Sequence, residues 1–378
     1  MEFLLEGIRA ITVPQLIMYA VGILLIYLAI VKGYEPSLLL PMGFGAILVN
    51  LPNSGVLNQT LPGIGDVQGI IEWLFKVGID ASEAFPILLF IGIGAMIDFG
   101  PLLSNPVMFL FGAAAQFGIF FTLSAATLLK FNLKDAASIA MIGAADGPTS
   151  ILVSKLLHSN YIGPIAVAAY SYMALVPLVQ PLAIKLVTTK KERLIRMPYN
   201  PISVSKRVKI VFPIVVTFIA GLVAPASVAL VGFLMFGNLL RECGVLNSLS
   251  DTAQNALVNL ITLLLGITIA FSMKAEAFVT VNTLLILVLG LVAFIFDTIG
   301  GVMFAKLINL FRKQKINPMI GAAGISAFPM SARVVQKMAL KEDPTNHLLM
   351  HAIGANVSGQ IASVVAGGII IGLISKFI

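Results

Sequence analysis

A chain of 378 residues that is 58% hydrophobic and only 11% charged, with a mean hydropathy of +1.01, is no ordinary soluble domain, whose charged share would be about 25%. Its apolar runs are continuous rather than alternating, which excludes a transmembrane β-barrel and leaves an all-α polytopic membrane protein with room for roughly ten to twelve spans. A single cysteine, Cys243, excludes an intramolecular disulfide and a cysteine metal cluster, and the net charge of +7 sits in loops where it sets topology and meets anionic lipid rather than nucleic acid.

After a short amphipathic start with no clear signal-peptide cleavage site, the first span is predicted over 16–31. Lys32 to Pro36 turns the chain into a second apolar run made irregular by Pro41 and Gly43. Residues 53–83 are the most polar part of the first half and read as a loop with an interfacial helix around Trp73. Spans are expected near 84–99, 105–130, 136–157 and 163–188. The stretch 189–209 then carries seven Lys or Arg against one Glu. With the cluster Arg312, Lys313 and Lys315, it is expected in the cytoplasm by the positive-inside rule. Further spans are expected near 208–224, 227–240, 255–272, 277–311, 318–338 and 347–374.

Short words recur. MIGAA occupies 141–145 and 319–323; GF at 43–44 with GVLN at 55–58 returns as GF at 232–233 with GVLN at 244–247. The two separations are nearly equal. The chain therefore reads as two copies of one half, a first transmembrane repeat over 1–188, a basic linker over 189–209 and a second repeat over 210–378, a build common among secondary transporters. An odd number of spans per repeat makes the copies inverted, an even number parallel.

The polar residues in apolar company carry the chemistry. Asp146, in MIGAADGPTS, lies among Gly143, Ala144, Ala145, Gly147 and Pro148, a broken helix with a carboxylate at the break. A buried carboxylate must be neutral, paired or cation-bound, so Asp146 is either an ion or proton site or a partner for a nearby backbone break. Tyr170 and Tyr172 follow in the next span and either relay a proton or anchor at the interface. The counterpart stretch has Asn317, Ser326, Ser331 and Arg333 around Gly321, Gly324 and Pro329, again rich in oxygen ligands for a hard cation such as sodium. Arg333 pairs with an anion or snorkels to the surface. Asn356, Ser358, Gln360 and Ser363 form a last group, with Asn356 suggesting another irregular turn and the others equally readable as helix packing. Asp98 is expected to end its helix at Gly100 and Pro101, while Asp297 lies deep in a long span with no partner that can be named. The pair His347 and His351 lacks an apparent third metal ligand, and a polar helix start explains both.

GAADGPTS, YSYMALVPLVQP, NPMIGAAGISAFPMSARVVQK, HLLMHAIGANVSGQIAS, LLLPMGFGAILVNLP and GIGAMIDFGPLL together resemble, over most of the chain and in the right order along it, the β subunit of the sodium-pumping biotin-dependent decarboxylases, which act on oxaloacetate, methylmalonyl-CoA or glutaconyl-CoA. The resemblance implies a subunit of the bacterial or archaeal cytoplasmic membrane that decarboxylates carboxybiotin and exports sodium. It implies a carboxyltransferase subunit, a biotin carrier protein or domain and a small membrane anchor subunit as partners, with a homo-oligomer within the complex. Sodium and carboxybiotin supplied by a partner are the implied cofactors, with no transition metal. The positions carried over are Asp146, Tyr172, Asn317, Gly321, Ser326, Arg333 and Asn356. An elevator-type scaffold and a mobile core holding both broken helices are implied too. The compact length resembles the acyl-CoA members, although the acyl substrate is chosen on the carboxyltransferase subunit.

On this reading Asp146 binds sodium when ionised, Asn317, Ser326 and Asn356 complete the oxygen cage, Tyr172 relays protons and Arg333 attracts the carboxylate of carboxybiotin, with Gly143, Gly147 and Gly321 shaping the backbone of the site. An uncoupled sodium/proton antiporter or organic-anion transporter and a plain membrane anchor are the alternatives.

Overall fold

The computed structural model describes residues 7–61, 63–81, 83–198 and 203–377; the start of the chain before residue 7 and the middle of the basic linker lie outside them. Helix α1 (Val13–Lys32) opens on a Thr12–Gln15 capping box with Pro14 in its first turn and stops at Gly33, whose φ of 66° supplies the left-handed C-cap. Helix α2 (Pro36–Asn50) returns along it. A small antiparallel hairpin, β1 (Gln59–Leu61) with β2 (Gly65–Val67), follows, so the polar segment holds strands as well as the expected helix, α3 (Ile70–Phe75), which carries the partly exposed Trp73. Then come α4 (Ala84–Met96), α5 (Gly100–Ser104), α6 (Met108–Ala115), α7 (Phe117–Leu128), α8 (Leu133–Ala140), α9 (Gly147–Leu156) and α10 (Ile162–Val187).

The second half runs α11 (Lys190–Arg193), α12 (Lys206–Val223), α13 (Val228–Cys243), α14 (Asn247–Thr252), α15 (Val258–Ile269), α16 (Ala275–Phe278), α17 (Val281–Phe311), α18 (Met319–Ala322), α19 (Met330–Glu342) and α20 (Leu349–Ile374). Among the described residues seven helices are long and apolar enough to cross a membrane, and the bent pair Ile70–Ala81 with Ala84–Met96 makes eight. The protein is an all-α polytopic membrane protein.

Two expected spans do not cross. The ends of the α8–α9 unit meet, because buried Asp135 accepts bonds from Ser159 Oγ (2.7 Å) and the Asn160 backbone N–H (2.9 Å). The ends of the α18–α19 unit meet in the same way around Arg193, whose guanidinium pairs with Glu342 at 2.7 Å and whose carbonyl accepts from Asn317 Nδ2 at 2.8 Å. Both units are re-entrant hairpins. The 26-residue α10, about 39 Å long, separates the two openings. Their openings therefore lie at opposite ends of α10.

The packing is reciprocal as well. Helix α2 lies on α15 and α13 on α4, while α10 lies on α17 and α20 on α6. Small residues permit these close approaches, as where Gly237 of α13 sits against the Ile91 carbonyl of α4. A fully used amide joins the halves: Asn50 donates to the carbonyls of Ala46 and Met273 at 2.8 Å each and accepts from the Ala275 N–H at 2.7 Å. Lipid-facing positions such as Phe218, Leu222 and Leu186 carry large exposed apolar side chains.

Three other local expectations change. Asn356 sits in unbroken α20, because its amide satisfies a neighbour's carbonyl and frees none of its own helix. Helix α4 stops at Met96 rather than at Gly100; Asp98 lies in the break, accepting from the Gly100 N–H at 2.8 Å and pairing with Lys209 at 3.2 Å. Asp297 is wholly buried in α17, where its Oδ1 accepts from the Ile119 N–H at 3.2 Å.

Candidate functional site

The two hairpin tips meet. In the first, the MIGA word forms a 3₁₀ turn over 141–144, Ala145 takes a left-handed conformation (φ 52°), and Asp146 becomes the N-cap of α9 with Pro148 in the first turn. Asp146 Oδ1 accepts from the Thr149 N–H at 3.3 Å, and Oδ2 accepts from Thr149 Oγ1 at 2.6 Å and Ser363 Oγ at 2.9 Å. The carboxylate is buried, faces the positive end of a helix and, among the described residues, has three donors and no cationic side chain on it.

Ser326, at the tip of the second hairpin, donates both its N–H (3.1 Å) and its hydroxyl (2.6 Å) to the Ala144 carbonyl. Gln360 Nε2 donates to the Ser326 carbonyl, and Asn356 Nδ2 to the Ile325 carbonyl at 2.7 Å. Asn356 Oδ1 is buried and has no partner among the described residues. Asn356, Gln360 and Ser363 lie three and four residues apart, so one face of α20 ties both tips together.

Around Asp146 is a chamber of about 200 Å³, lined by Glu35, Pro148, Tyr170, Ser326 and Gln360 and by apolar residues of α2, α4 and α15. Tyr170 is buried, its hydroxyl has no partner among the described residues, and Gly147 packs so tightly on its ring that a β-carbon would collide with it. A second cavity of about 290 Å³ adjoins Glu35 from the other side and holds Arg333 and Lys337. Beyond it Lys185, Lys337 and Lys341 line a third of about 300 Å³. A larger groove of about 480 Å³ between α12 and α13 is almost entirely apolar, faces lipid and carries no such chemistry.

Asp146, Ser326 and Asn356 are thus brought together. Tyr172 is not with them: its hydroxyl donates to the Leu287 carbonyl in α17, since residues two apart on a helix point to different faces. Asn317 is also elsewhere, spending Nδ2 on the Arg193 and Ile195 carbonyls (2.8 Å each) and Oδ1 on the Met319 N–H (3.1 Å). It fastens the linker to the hairpin opening. Arg333 is exposed in the second cavity, not in the chamber. Gly143 abuts Ala293 and Asp297, and Gly321 abuts the Gly301 carbonyl, so both are packing positions on α17. His347 lies near Gln336, and His351 against the backbone of Met197 and Pro198, on the linker.

The profile of the family described as "Na+-transporting oxaloacetate decarboxylase beta subunit" matches residues 14–374. The chain belongs to this family. It is 48% identical to the methylmalonyl-CoA decarboxylase subunit beta of Propionigenium modestum, with 97% of this chain and 96% of that one covered. It is 49% identical to the glutaconyl-CoA decarboxylase subunit beta of Acidaminococcus fermentans (98% and 96%) and 43% identical to the oxaloacetate decarboxylase beta chain of Haemophilus ducreyi (98% and 98%). This decarboxylase β-type membrane subunit is therefore a component of a decarboxylase assembly.

Sequence reasoning did not assign Glu35, Thr149, Gln360 or Ser363 to the site of this β-family chain. Thr149 was readable as the capping partner of Asp146, three residues on. Gln360 and Ser363 share the helical stripe of Asn356. Glu35 left no signal, because only the tertiary approach of α2 brings it to the hairpin tips.

Proposed function

We propose that this subunit decarboxylates carboxybiotin presented by partner subunits and couples the step to sodium export across the cytoplasmic membrane, consuming a proton. The basic face, with the linker, Arg333 and Lys337, is the cytoplasmic one. The observation that carries the reading is the convergence of two hairpin tips on one buried carboxylate.

The donor set suits a hard cation. Asp146 supplies charge, and the unpartnered Asn356 Oδ1, the hydroxyls of Thr149, Ser326 and Ser363 and the tip carbonyls supply neutral oxygens. Cleaving the C–N bond of carboxybiotin releases carbon dioxide and leaves the ureido nitrogen needing a proton. A carboxylate that holds sodium in one state and a proton in the other links the two events. Tyr170, whose hydroxyl has no partner among the described residues and whose ring lines the same chamber, fits the relay that the resemblance gave to Tyr172. Arg333 attracts the incoming carboxylate.

The chamber is walled on one side by α2, α4 and α15 and on the other by the hairpins, α10 and α20. That division supports an elevator in which the latter group moves against the former. The carboxyltransferase subunit, biotin carrier and small membrane anchor subunit join it, and the complex contains several copies of this chain.

The test is release of carbon dioxide from carboxybiotin by the subunit with its membrane partner in proteoliposomes, with and without sodium. Sodium-dependent release together with sodium uptake, both lost in Asp146→Asn, is the expected result. Sodium/proton exchange with no carbon dioxide released would move the protein to the antiporters.

A further inference from the structure

Glu35 is an unusual residue for its position. It caps α2 in the left-handed region (φ 37°, ψ 61°), which a side chain with a β-carbon rarely adopts, and its carbonyl is committed to the N–H groups of Leu38 and Leu39 at 3.0 Å each. The backbone is pinned at the turn, which fixes where the side chain leaves the helix. It lines both the Asp146 chamber and the outer cavity that holds Arg333 and Lys337. Its carboxylate is half-buried and makes no ion pair within 4 Å among the described residues, although Arg333 is close enough to act on it electrostatically.

A cation bound for Asp146 has a problem on this side. The outer cavities present Arg333, Lys337, Lys185 and Lys341 against one acid, Glu342, which is paired with Arg193, so their excess positive charge draws in an anion and repels sodium. Glu35 is the acidic side chain shared by the outer cavity and the chamber. We propose that Glu35 is the entrance carboxylate for sodium, a positioning residue that offsets the basic outer cavities and hands the ion to Asp146 while Arg333 holds the anionic substrate. This rests on the sodium-coupled reading above. It gives anion and cation separate charges in adjoining spaces, so both occupy one entrance without neutralising each other's site.

The experiment uses the assembled complex, with Glu35→Gln, Glu35→Asp, Lys337→Gln and the Glu35→Gln/Lys337→Gln double variant. Sodium-dependent carbon dioxide release and equilibrium binding of radioactive sodium are both measured. Glu35→Gln is expected to raise the KM for sodium about 10-fold while kcat at saturating sodium stays within about twofold. Glu35→Asp retains most of the wild-type affinity, and the double variant recovers about half of the loss on a logarithmic scale, because one repelling charge has gone. An unchanged sodium KM and binding constant in Glu35→Gln overturns the proposal. So does a fall in kcat alone, or a loss in Glu35→Gln that neither Glu35→Asp avoids nor Lys337→Gln offsets, since that pattern is structural. Absence of sodium dependence in the wild-type complex overturns the functional reading itself, and this inference with it.

Discussion

The two re-entrant hairpins start from the same word and end in different chemistry. In the first, MIGAA tightens to a 3₁₀ turn, breaks at left-handed Ala145 and delivers Asp146 to the head of a ten-residue helix. In the second, MIGA is a single α-helical turn, no carboxylate follows, and Ser326 reaches across to the first tip instead. The openings differ too. The first is closed by Asp135 with Ser159 and Asn160, all neutral partners for one acid, while the second is closed by ion pairs and by Asn317 on the linker. The same four-residue word thus leads to a carboxylate at one tip and to a hydroxyl at the other. A hard cation can be held by a carboxylate together with neutral oxygens, and on the proposed reading the two tips supply these separately.

The comparison breaks first at Asp146. Asp146→Asn removes the charged ligand and should lower sodium affinity at least about 100-fold, the scale of about 3 kcal/mol for losing one member of a buried charge pair. Equilibrium sodium binding checks it, and near-normal affinity would shift the site to the second hairpin.

Next are the two tyrosines. Tyr170→Phe, which deletes the hydroxyl in the chamber, should slow sodium-saturated turnover about 10-fold. Tyr172→Phe should leave turnover within about twofold and cost about 1 kcal/mol of stability, since its hydroxyl only serves the Leu287 carbonyl. The reverse order would return the relay to Tyr172.

The second tip is probed by Ser326→Ala. It loses the hydroxyl bond to Ala144 but keeps the backbone one, so an effect of about 1 kcal/mol, or about fivefold in the KM for sodium, is expected. At the second opening, Asn317→Ala strips two linker carbonyls of their closest donor. Asn346 Nδ2, at 3.3–3.4 Å from both, takes over in part, and the thermal midpoint should fall by about 2–4 °C. Loss of sodium affinity at unchanged thermal stability would instead place Asn317 in the cation cage.

The smallest effect is on pH. The Thr345 N–H and hydroxyl, then Arg196, hold the half-buried Asp343 carboxyl below its usual range. A depressed folded pKa contributes stability that is full above about pH 4 and is lost as pH falls through the folded value. Asp343→Asn should therefore flatten the acid side of a thermal-stability profile and leave the neutral region unchanged.

What each stretch of sequence disclosed follows from how local its cause is. Asp146 stood out because a carboxylate among Gly, Ala and Pro in an apolar run has no cheap explanation, and the structure puts it at a helix break. Asn356 and Ser326 were readable as oxygen ligands for the same reason. Asn317 and Tyr172 stood out equally on composition, yet one holds the linker and the other a helix carbonyl, because a polar side chain in a membrane takes whichever backbone group is within reach. Hydropathy also could not separate a hairpin from a span. Residues 136–157 and 318–338 are apolar enough for either, and only the pairing of their ends, through Asp135 and through Arg193, reveals that they turn back.

The sequence by itself determined the solvent, the helical class and the buried acid, since each depends on local composition, spacing or the cost of an unpaired charge in lipid. Tertiary structure alone decided that the two tips meet, that Tyr170 rather than Tyr172 shares the chamber with Asp146, and that Glu35 lines both that chamber and the cavity holding Arg333 and Lys337. These are contacts between residues far apart in the chain, fixed by the register and angle at which helices pack, and no local pattern encodes them.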